Sequence, residues 1–320
     1  MKRKILITGG AGFIGSELVR QMGQSKDQVI VLDKLTYCGD LARLESVKNM
    51  IKFCKVDIAD KEQLRALFDK VRPDYVIHCA AETHVDRSIV DNTPFIKSNI
   101  LGTQNLIDVS CAFKVKKFLH VSTDEVYGEH VCGYFKENDP LQPRNPYAAT
   151  KAAGEWLVQS AVKTHKFPAM IVRPCNCYGP WQYPEKLIPV VISKTLTDQK
   201  VPVYGQGLQV REWLHVADCC RAMQIIFRKG KTGEVYNIGS GFEQKNIKTV
   251  MAIIKLLGKD QKIIKFVKDR PGHDYRYSVD FNRLKSLGWK PKIPFEAGIK
   301  ITIQWYIQNQ KWLKQKQAKP

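Results

Sequence analysis

Thr8-Gly9-Gly10-Ala11-Gly12-Phe13-Ile14-Gly15 is the stretch whose reading decides the fold. Glycines 9, 12 and 15 give a G-x-x-G-x-x-G pattern between an apolar run, Ile5 to Thr8, and an amphipathic stretch, Phe13 to Met22. Glycines so spaced permit a tight turn, close approach of backbone to a pyrophosphate, and close helix–strand packing. The helix that follows presents its free N–H groups to the phosphates. Asp33 ends a second strand, Gln28 to Asp33, about 20 residues beyond the glycines, where a carboxylate takes both ribose hydroxyls. An acid at this place favours NAD over NADP; Lys34, immediately after it, softens that preference. Asp57, ending a third strand within Met50 to Asp57, is either an acceptor for an adenine amino group or a solvated turn residue.

Working outward, strand and helix alternate. Lys61 to Lys70 reads as a helix, Tyr75 to Cys79 as a strand, Pro94 to Phe113 as a long helix, and Phe118 to Ser122 as a strand. Short apolar strands alternating with helices predict βαβ units and a buried parallel sheet. Beyond Pro174 the rhythm loosens, with prolines at 180, 184, 189 and 202 and loops rich in Tyr, Trp and Arg. This predicts a second, smaller region wrapped on the first. Phe295 to Trp312 reads as one amphipathic helix, and Lys314 to Pro320 as a frayed polar tail without a function.

Composition bounds the possibilities. The 320 residues are 44% hydrophobic and 26% charged, enough for a real core. No run approaches the roughly 20 apolar residues of a membrane helix, and glycines interrupt the apolar start too early for a secretory signal. Nine cysteines, an odd count without a framework, predict free thiols and a cytoplasmic setting. Fifty-one Lys and Arg against 31 Asp and Glu give +20, which admits a nucleic-acid partner. No RNA-recognition motif, aromatic ladder or zinc knuckle supports one, so neither nucleic acid nor membrane is expected as a partner. Cys175-x-Cys177 and Cys219-Cys220 read as packing thiols, His215 as a core or hydrogen-bonded histidine, and no metal is expected.

The chemistry-bearing residues follow the glycine turn. Tyr147 and Lys151 are spaced i, i+4 at the start of a helix opened by Pro146, so they share a face. An ammonium beside a phenol lowers its pKa, and a tyrosine tuned in this way can take a hydroxyl proton while NAD takes a hydride. Thr123-Asp124-Glu125 closes the strand that begins at Phe118; two adjacent acids there can divide acid and base roles. Asp124 must then stay protonated near neutrality, which needs burial or a close like charge.

These residues resemble the NDP-glucose 4,6-dehydratases of the extended short-chain dehydrogenase/reductase superfamily. The resemblance runs from about Lys4 to about Trp305. It includes the glycine turn, Asp33-Lys34-Leu35-Thr36-Tyr37, Ala80 to Ser88, Thr123-Asp124-Glu125, Tyr147 with Lys151, Tyr183 to Pro189, Arg211-Glu212-Trp213 and Arg270 to Asp274. It implies an α/β fold: a Rossmann-type doubly wound parallel sheet in residues 1–174 and a smaller C-terminal α/β substrate-binding domain in 175–320. Part of 203–240 would return to the sheet. It implies NAD held by Gly9, Gly12, Phe13, Ile14, Gly15, Asp33, Lys34, Thr36, Asp57, Ile58, Ala80, Ala81, Thr83, Tyr147 and Lys151. The implied sugar-nucleotide residues are His84, Thr123, Asn176, Lys186, Leu187, Tyr204, Arg211, Asn246, Arg270 and His273.

The implied reaction oxidises C4 with Tyr147 as base. Glu125 then takes the C5 proton, Asp124 protonates the departing C6 hydroxyl, and the hydride returns to C6. The product is a 4-keto-6-deoxy sugar. Related epimerases and decarboxylases lack one or both acids of the triplet. The stretch between Gly128 and Pro146 is shorter than in many bacterial dTDP-glucose enzymes, which leaves dTDP-glucose and UDP-glucose both open as substrates. A 4-epimerase, a decarboxylase and a non-catalytic binding protein are the further alternatives. Relatives pair through two helices per subunit, here near 94–113 and 147–163, so a homodimer is expected.

Overall fold

The computed structural model describes residues 2–317. Its centre is a seven-stranded, wholly parallel sheet of order β10-β6-β5-β4-β1-β2-β3. The strands are β1 (Lys4–Thr8), β2 (Gln28–Asp33), β3 (Ile51–Lys55), β4 (Tyr75–His78), β5 (Lys117–Val121), β6 (Ala169–Pro174) and, far along the chain, β10 (Val235–Ile238). The order reverses between β1 and β4. In open parallel sheets such a switch point opens a crevice at the carboxyl ends of the strands.

Alternation of side chains along these strands builds a core on each face. Ile5, Ile7, Val29, Val31, Ile77 and Leu119 pack against α1 (Phe13–Gly23) and the later helix α8 (Val216–Lys229). Leu6, Ile30, Leu32, Val76 and Phe118 point the other way, against α2 (Lys61–Val71), α5 (Gly102–Ala112) and α6 (Pro146–His165). Local chemistry fixes the helix ends. Asp60 caps α2 by accepting from Gln63 N, and Asn145 caps α6 by accepting from Ala148 N with Pro146 in the first turn.

The long helix expected over 94–113 is a composite. After α3 (Val85–Val90), α4 (Thr93–Phe95) runs through a π-helical stretch, Ile96–Leu101, into α5. Wide turns of this kind are invisible to a 3.6-residue period.

The C-terminal part is built on β7 (Asn176–Tyr178), β9 (Val210–His215) and β11 (Glu243–Lys245), which form a three-stranded sheet. The parallel pair β8 (Val201–Tyr204) and β12 (Ile264–Val267) stands beside it. Around them lie α7 (Leu187–Leu196), α9 (Asn246–Leu256) and α11 (Phe295–Gln308), with Tyr178, Trp213, Val250 and Phe295 in their core, while the short α10 (Asn282–Ser286) packs back on the central sheet through Leu284.

The reading of the last segment needs two corrections. The expected single helix breaks at Asn309, and a separate helix α12 (Gln310–Gln317) follows. It is docked rather than frayed: Trp312 and Leu313 are buried. Apolar side chains at 312 and 313 demand cover that composition alone did not locate. The rest of the expected tail, 318–320, lies outside the described residues.

Candidate active site

A deep cleft runs along the carboxyl ends of the sheet at the switch point. Its floor is the glycine turn. Gly9 has φ +65°, and a Cβ there would lie 2.6 Å from the Ala80 backbone; one at Gly15 would run into Gly9 O. Glycine is required at position 9 because the chain after β4 crosses directly over the turn, and at position 15 because α1 packs onto the turn's own backbone. Gly12 caps α1 without a side-chain bond, leaving the first N–H groups of the helix open to the cleft.

Gly9, Gly12, Phe13, Ile14, Gly15, Asp33, Lys34, Thr36, Ile58, Ala80, Ala81 and Thr83 all line this cleft. Asp33 accepts from Ala11 N at 3.0 Å and from Leu35 N at 2.8 Å, so its carboxylate is fixed between the turn and the end of β2. Burial raises its pKa, and these two N–H groups pull it back. Lys34 is tied down: it donates to Ser98 at 2.9 Å and lies 3.7 Å from Asp57 and 3.8 Å from Glu82. A lysine so engaged, beside a buried Glu82, does not offer a free cation to a 2′-phosphate. Asp57 stands off the wall, accepting from Ala59 N at 2.9 Å beside Lys34.

The far end of the cleft holds Ser122, Thr123, Asp124, Glu125 and Tyr147. Residues 124–127 form one 3-10 turn after β5, capped by Thr123 Oγ1, which accepts from Glu125 N at 3.3 Å. Asn145, the cap of α6, donates to Glu125 Oε2 at 3.2 Å and so ties the acids to the tyrosine's helix. Asp124 is 2% exposed and its Oδ2 has no partner. Burial first, then the neighbouring Glu125 and Glu212, drive its pKa well above the carboxylate range. The two acids therefore differ in environment: Asp124 enclosed with its pKa driven up, Glu125 at the wall with a hydrogen-bond donor.

The expectation that Lys151 lowers the tyrosine's pKa is not met. Tyr147 is raised, by burial and then by Glu125, with the Thr123 hydroxyl working against the rise. Lys151 turns its ammonium to Val121 O at 2.7 Å, and burial lowers its pKa to about 8. The i, i+4 spacing put the two side chains on one face, but the nearest strong acceptor belongs to β5.

The residues expected at the nucleotide end fall into two groups. Asn176 and Lys186 line the cleft, Lys186 donating to Thr83 O at 2.7 Å. His84 sits just behind, 3.7 Å from Glu185, and Leu187 begins α7 beside Lys186. The others gather beyond the cleft's walls. Tyr204 and Arg270 reach Asp86 at 3.2 and 3.4 Å, and His273 contacts Asp269 at 2.6 Å and Tyr204 edge-on. Arg211 spends its N–H groups on the carbonyls of Val210, Asp274 and Tyr275. Asn176 Oδ1, Asn246 Oδ1 and Arg270 Nε are buried polar atoms with no protein partner, the condition of groups arranged for a ligand.

Sequence reasoning passed over several walls of the cleft. Glu82 and Glu185 stood inside quoted motifs and carried a signal in their burial-averse chemistry. Arg43 carried none: it sits on an ordinary-looking segment, yet is 1% exposed with its donors on Ala11 O, Cys38 O and Trp181 O. Cys79, Cys175 and Cys177 also line the cleft. His215 caps α8 by accepting from Ala217 N at 3.2 Å. Among the described residues no cluster of His, Cys, Asp and Glu could hold a metal ion.

Comparison with known proteins follows from this geometry. A family model described as GDP-mannose 4,6 dehydratase matches residues 6–302. The low-salt glycan biosynthesis protein Agl12 of Haloferax volcanii is 46% identical over 306 residues, covering 95% of this chain and 98% of that protein. A dTDP-glucose 4,6-dehydratase of Streptomyces niveus is 44% identical over 320 residues, covering 97% and 94%. Among solved structures, DesIV of Streptomyces venezuelae, a dTDP-glucose 4,6-dehydratase with NAD bound, superposes with a TM-score of 0.95 at 40% identity. It covers 98% of this chain and 99% of its own.

Proposed function

The chain belongs to the GDP-mannose 4,6 dehydratase family, and from that premise we propose that it is an NAD-dependent dTDP-glucose 4,6-dehydratase. It converts dTDP-glucose to dTDP-4-keto-6-deoxy-glucose and water. The observation that carries this reading is the pairing of an enclosed Asp124, its pKa driven up, with Glu125 opposite Tyr147 in one cleft. An epimerase or decarboxylase on the same sheet has no elimination to catalyse and no need of two adjacent acids.

The cleft fits NAD. The uncapped start of α1 and the glycine turn suit the diphosphate, and Asp33 suits the adenosine ribose. Lys151, whose ammonium now bonds to Val121 O, is proposed for the other ribose. When bound, NAD accepts the hydride from C4 and later returns it to C6, and its charged ring favours the phenolate of Tyr147. Tyr147 takes the O4 proton, and the Thr123 hydroxyl orients the ketone. The ketone acidifies C5, whose proton Glu125 accepts. Asp124 gives its proton to the C6 hydroxyl, which leaves as water, and Glu125 returns a proton to C5 as C6 is reduced. Each positioned acid or base is worth roughly 10²–10⁴-fold.

Asn176, Lys186, Leu187 and His84, with the outer group Tyr204, Arg211, Asn246, Arg270 and His273, are proposed to hold the nucleoside diphosphate. Residues 1–174 and β10 would serve the cofactor, and most of 175–320 the sugar nucleotide. A homodimer is proposed through α6 and the helix over 93–112, where Ile96, Leu101 and Trp156 are exposed. All nine cysteines are free, which suits a reducing cytoplasm. No helix among the described residues is long and apolar enough to cross a membrane.

The test is turnover of dTDP-glucose and UDP-glucose in parallel, followed by the alkali-induced absorbance of the 4-keto-6-deoxy product. Product with a higher kcat/KM for dTDP-glucose supports the reading. Preference for UDP-glucose would replace the substrate, and no product from either would replace the reaction.

A further inference from the structure

The C-terminal helix reaches the support of the cofactor cleft through Asp40, 272 positions before Trp312, and through nearby Arg43. Trp312 Nε1 donates to Asp40 Oδ2 at 2.7 Å, and Lys316 Nζ lies 2.8 Å from the same oxygen. The other oxygen of Asp40 accepts from Ala42 N at 3.0 Å. Burial pulls this carboxyl up, yet Lys316 and Trp312 hold it below the ordinary carboxylate range. The indole also lies 5.7 Å from the Arg43 guanidinium.

Both partners of α12 converge on one atom of the glycine turn. Asp40 N donates to Ala11 O at 3.0 Å, and Arg43 Nη1 donates to the same oxygen at 2.8 Å. Ala11 N is already committed to Asp33. The peptide groups on both sides of Ala11 are therefore fixed, one by the ribose-binding acid and one by residues that α12 holds in place. The same helix grips the opposite wall: Tyr183 donates to Lys316 O at 3.2 Å, and Gln317 donates to Ser193 Oγ of α7 at 2.6 Å. One helix thus ties the loop after β2 to the loop before α7, and both loops line the cleft.

We propose that α12 is a strap that positions the diphosphate cradle: Trp312 and Lys316 act through Asp40 and Arg43 to hold the Ala11 turn, and so set how tightly and how long NAD is retained. The catalytic groups after β5 and on α6 make no contact with α12, so the chemical steps are left alone. A dehydratase that returns its hydride every cycle needs a cofactor that stays bound between oxidation and reduction, and the strap supplies that from the far end of the chain. This rests on the cleft being the NAD site.

The experiment uses the full chain with Lys316→Gln, Trp312→Phe and the double variant, and Lys316→Arg as the conservative control. Trp312→Phe removes the N–H donor and part of the ring, so its melting temperature is read beside its affinity. NAD Kd and dissociation rate are measured by equilibrium binding and rapid gel filtration, alongside melting temperature and kcat at saturating NAD. Loss of bonds to a charged group predicts NAD binding about tenfold weaker in the double variant, through a faster off-rate. Kcat at saturating NAD and KM for dTDP-glucose should hold within about twofold, and Lys316→Arg should restore affinity. Unchanged NAD affinity in the folded double variant would overturn the strap. So would a lowered melting temperature with unchanged affinity in the single Lys316→Gln variant, which would make α12 structural only. Failure of the unaltered chain to bind NAD would instead overturn the reading of the cleft.

Discussion

Asp124 and Glu125 are neighbours in sequence and opposites in environment. Asp124 is closed off, its pKa pushed up by burial and by the charge beside it, while Glu125 faces the cleft with Asn145 donating to it. Glu125→Gln should allow C4 oxidation and then stall, so that the absorbance of reduced cofactor accumulates in a single turnover. Full product formation by this variant would remove Glu125 as the base at C5. Lys151 carries a pH signature. Burial lowers its pKa to about 8, so its charge is lost as pH rises through that value. NAD affinity should weaken above about pH 8, and affinity that is flat across that range would show that the charge is not used. The stability effect has the opposite sense. The unfolded chain holds this proton up to the ordinary lysine value, so between the two pKa values folding releases it, and stability rises with pH over that window.

At the scale of elements, the short 3-10 turn of residues 124–127 is too brief to hold its own shape, and a buried network underneath supports it. Arg173 on β6 is 2% exposed; its Nε and Nη2 reach Glu155 of α6 at 3.0 and 2.6 Å, and its Nη1 donates to Tyr127 OH at 2.7 Å. Tyr127 passes the chain on to Asn237 of β10 at 2.7 Å. Two strands, a helix and the turn itself therefore meet under the acids. Removing one member of a buried ion pair leaves the other uncompensated, which costs about 3–5 kcal/mol. Glu155→Gln should lower the free energy of unfolding by an amount near that range in a denaturant titration, with loss of turnover following loss of the fold. A change under about 1 kcal/mol would mean that water replaces the carboxylate.

At the scale of the whole molecule, large apolar side chains stand exposed on α6 and the helix beside it. Trp156 on α6 is 55% exposed, with Ile96 and Leu101 exposed on the neighbouring helix at 48% each. Large apolar side chains grouped in this way mark an association surface. Trp156→Glu should convert a dimer to a monomer in light scattering while the helical signal is kept. A wild-type chain that is monomeric at assay concentration would remove the dimer from the proposal.

While β6 and β10 were seen only in the structure, the sequence by itself determined five of the sheet's seven strands, β1 to β5, the glycine turn with Asp33, and the acid pair with Tyr147. Each of these is local: a backbone turn needs glycine, a parallel strand needs a continuous apolar run, and a helix face needs a four-residue spacing. Only the tertiary structure decided where Lys151 points, which acid is enclosed, and what the last helix does. Lys151 bonds to a carbonyl of β5 because that strand, and not Tyr147, ends nearest its ammonium. The Asp124 carboxyl is pushed well up by burial first, and then by Glu125 and by Glu212, the latter from a strand far along the chain. Arg43 reaches Ala11 O from 32 positions along the chain and Trp312 reaches Asp40 from 272, so neither contact exists until the chain is folded. Periodicity and spacing describe one element at a time, and a bond made between elements leaves no period in either of them.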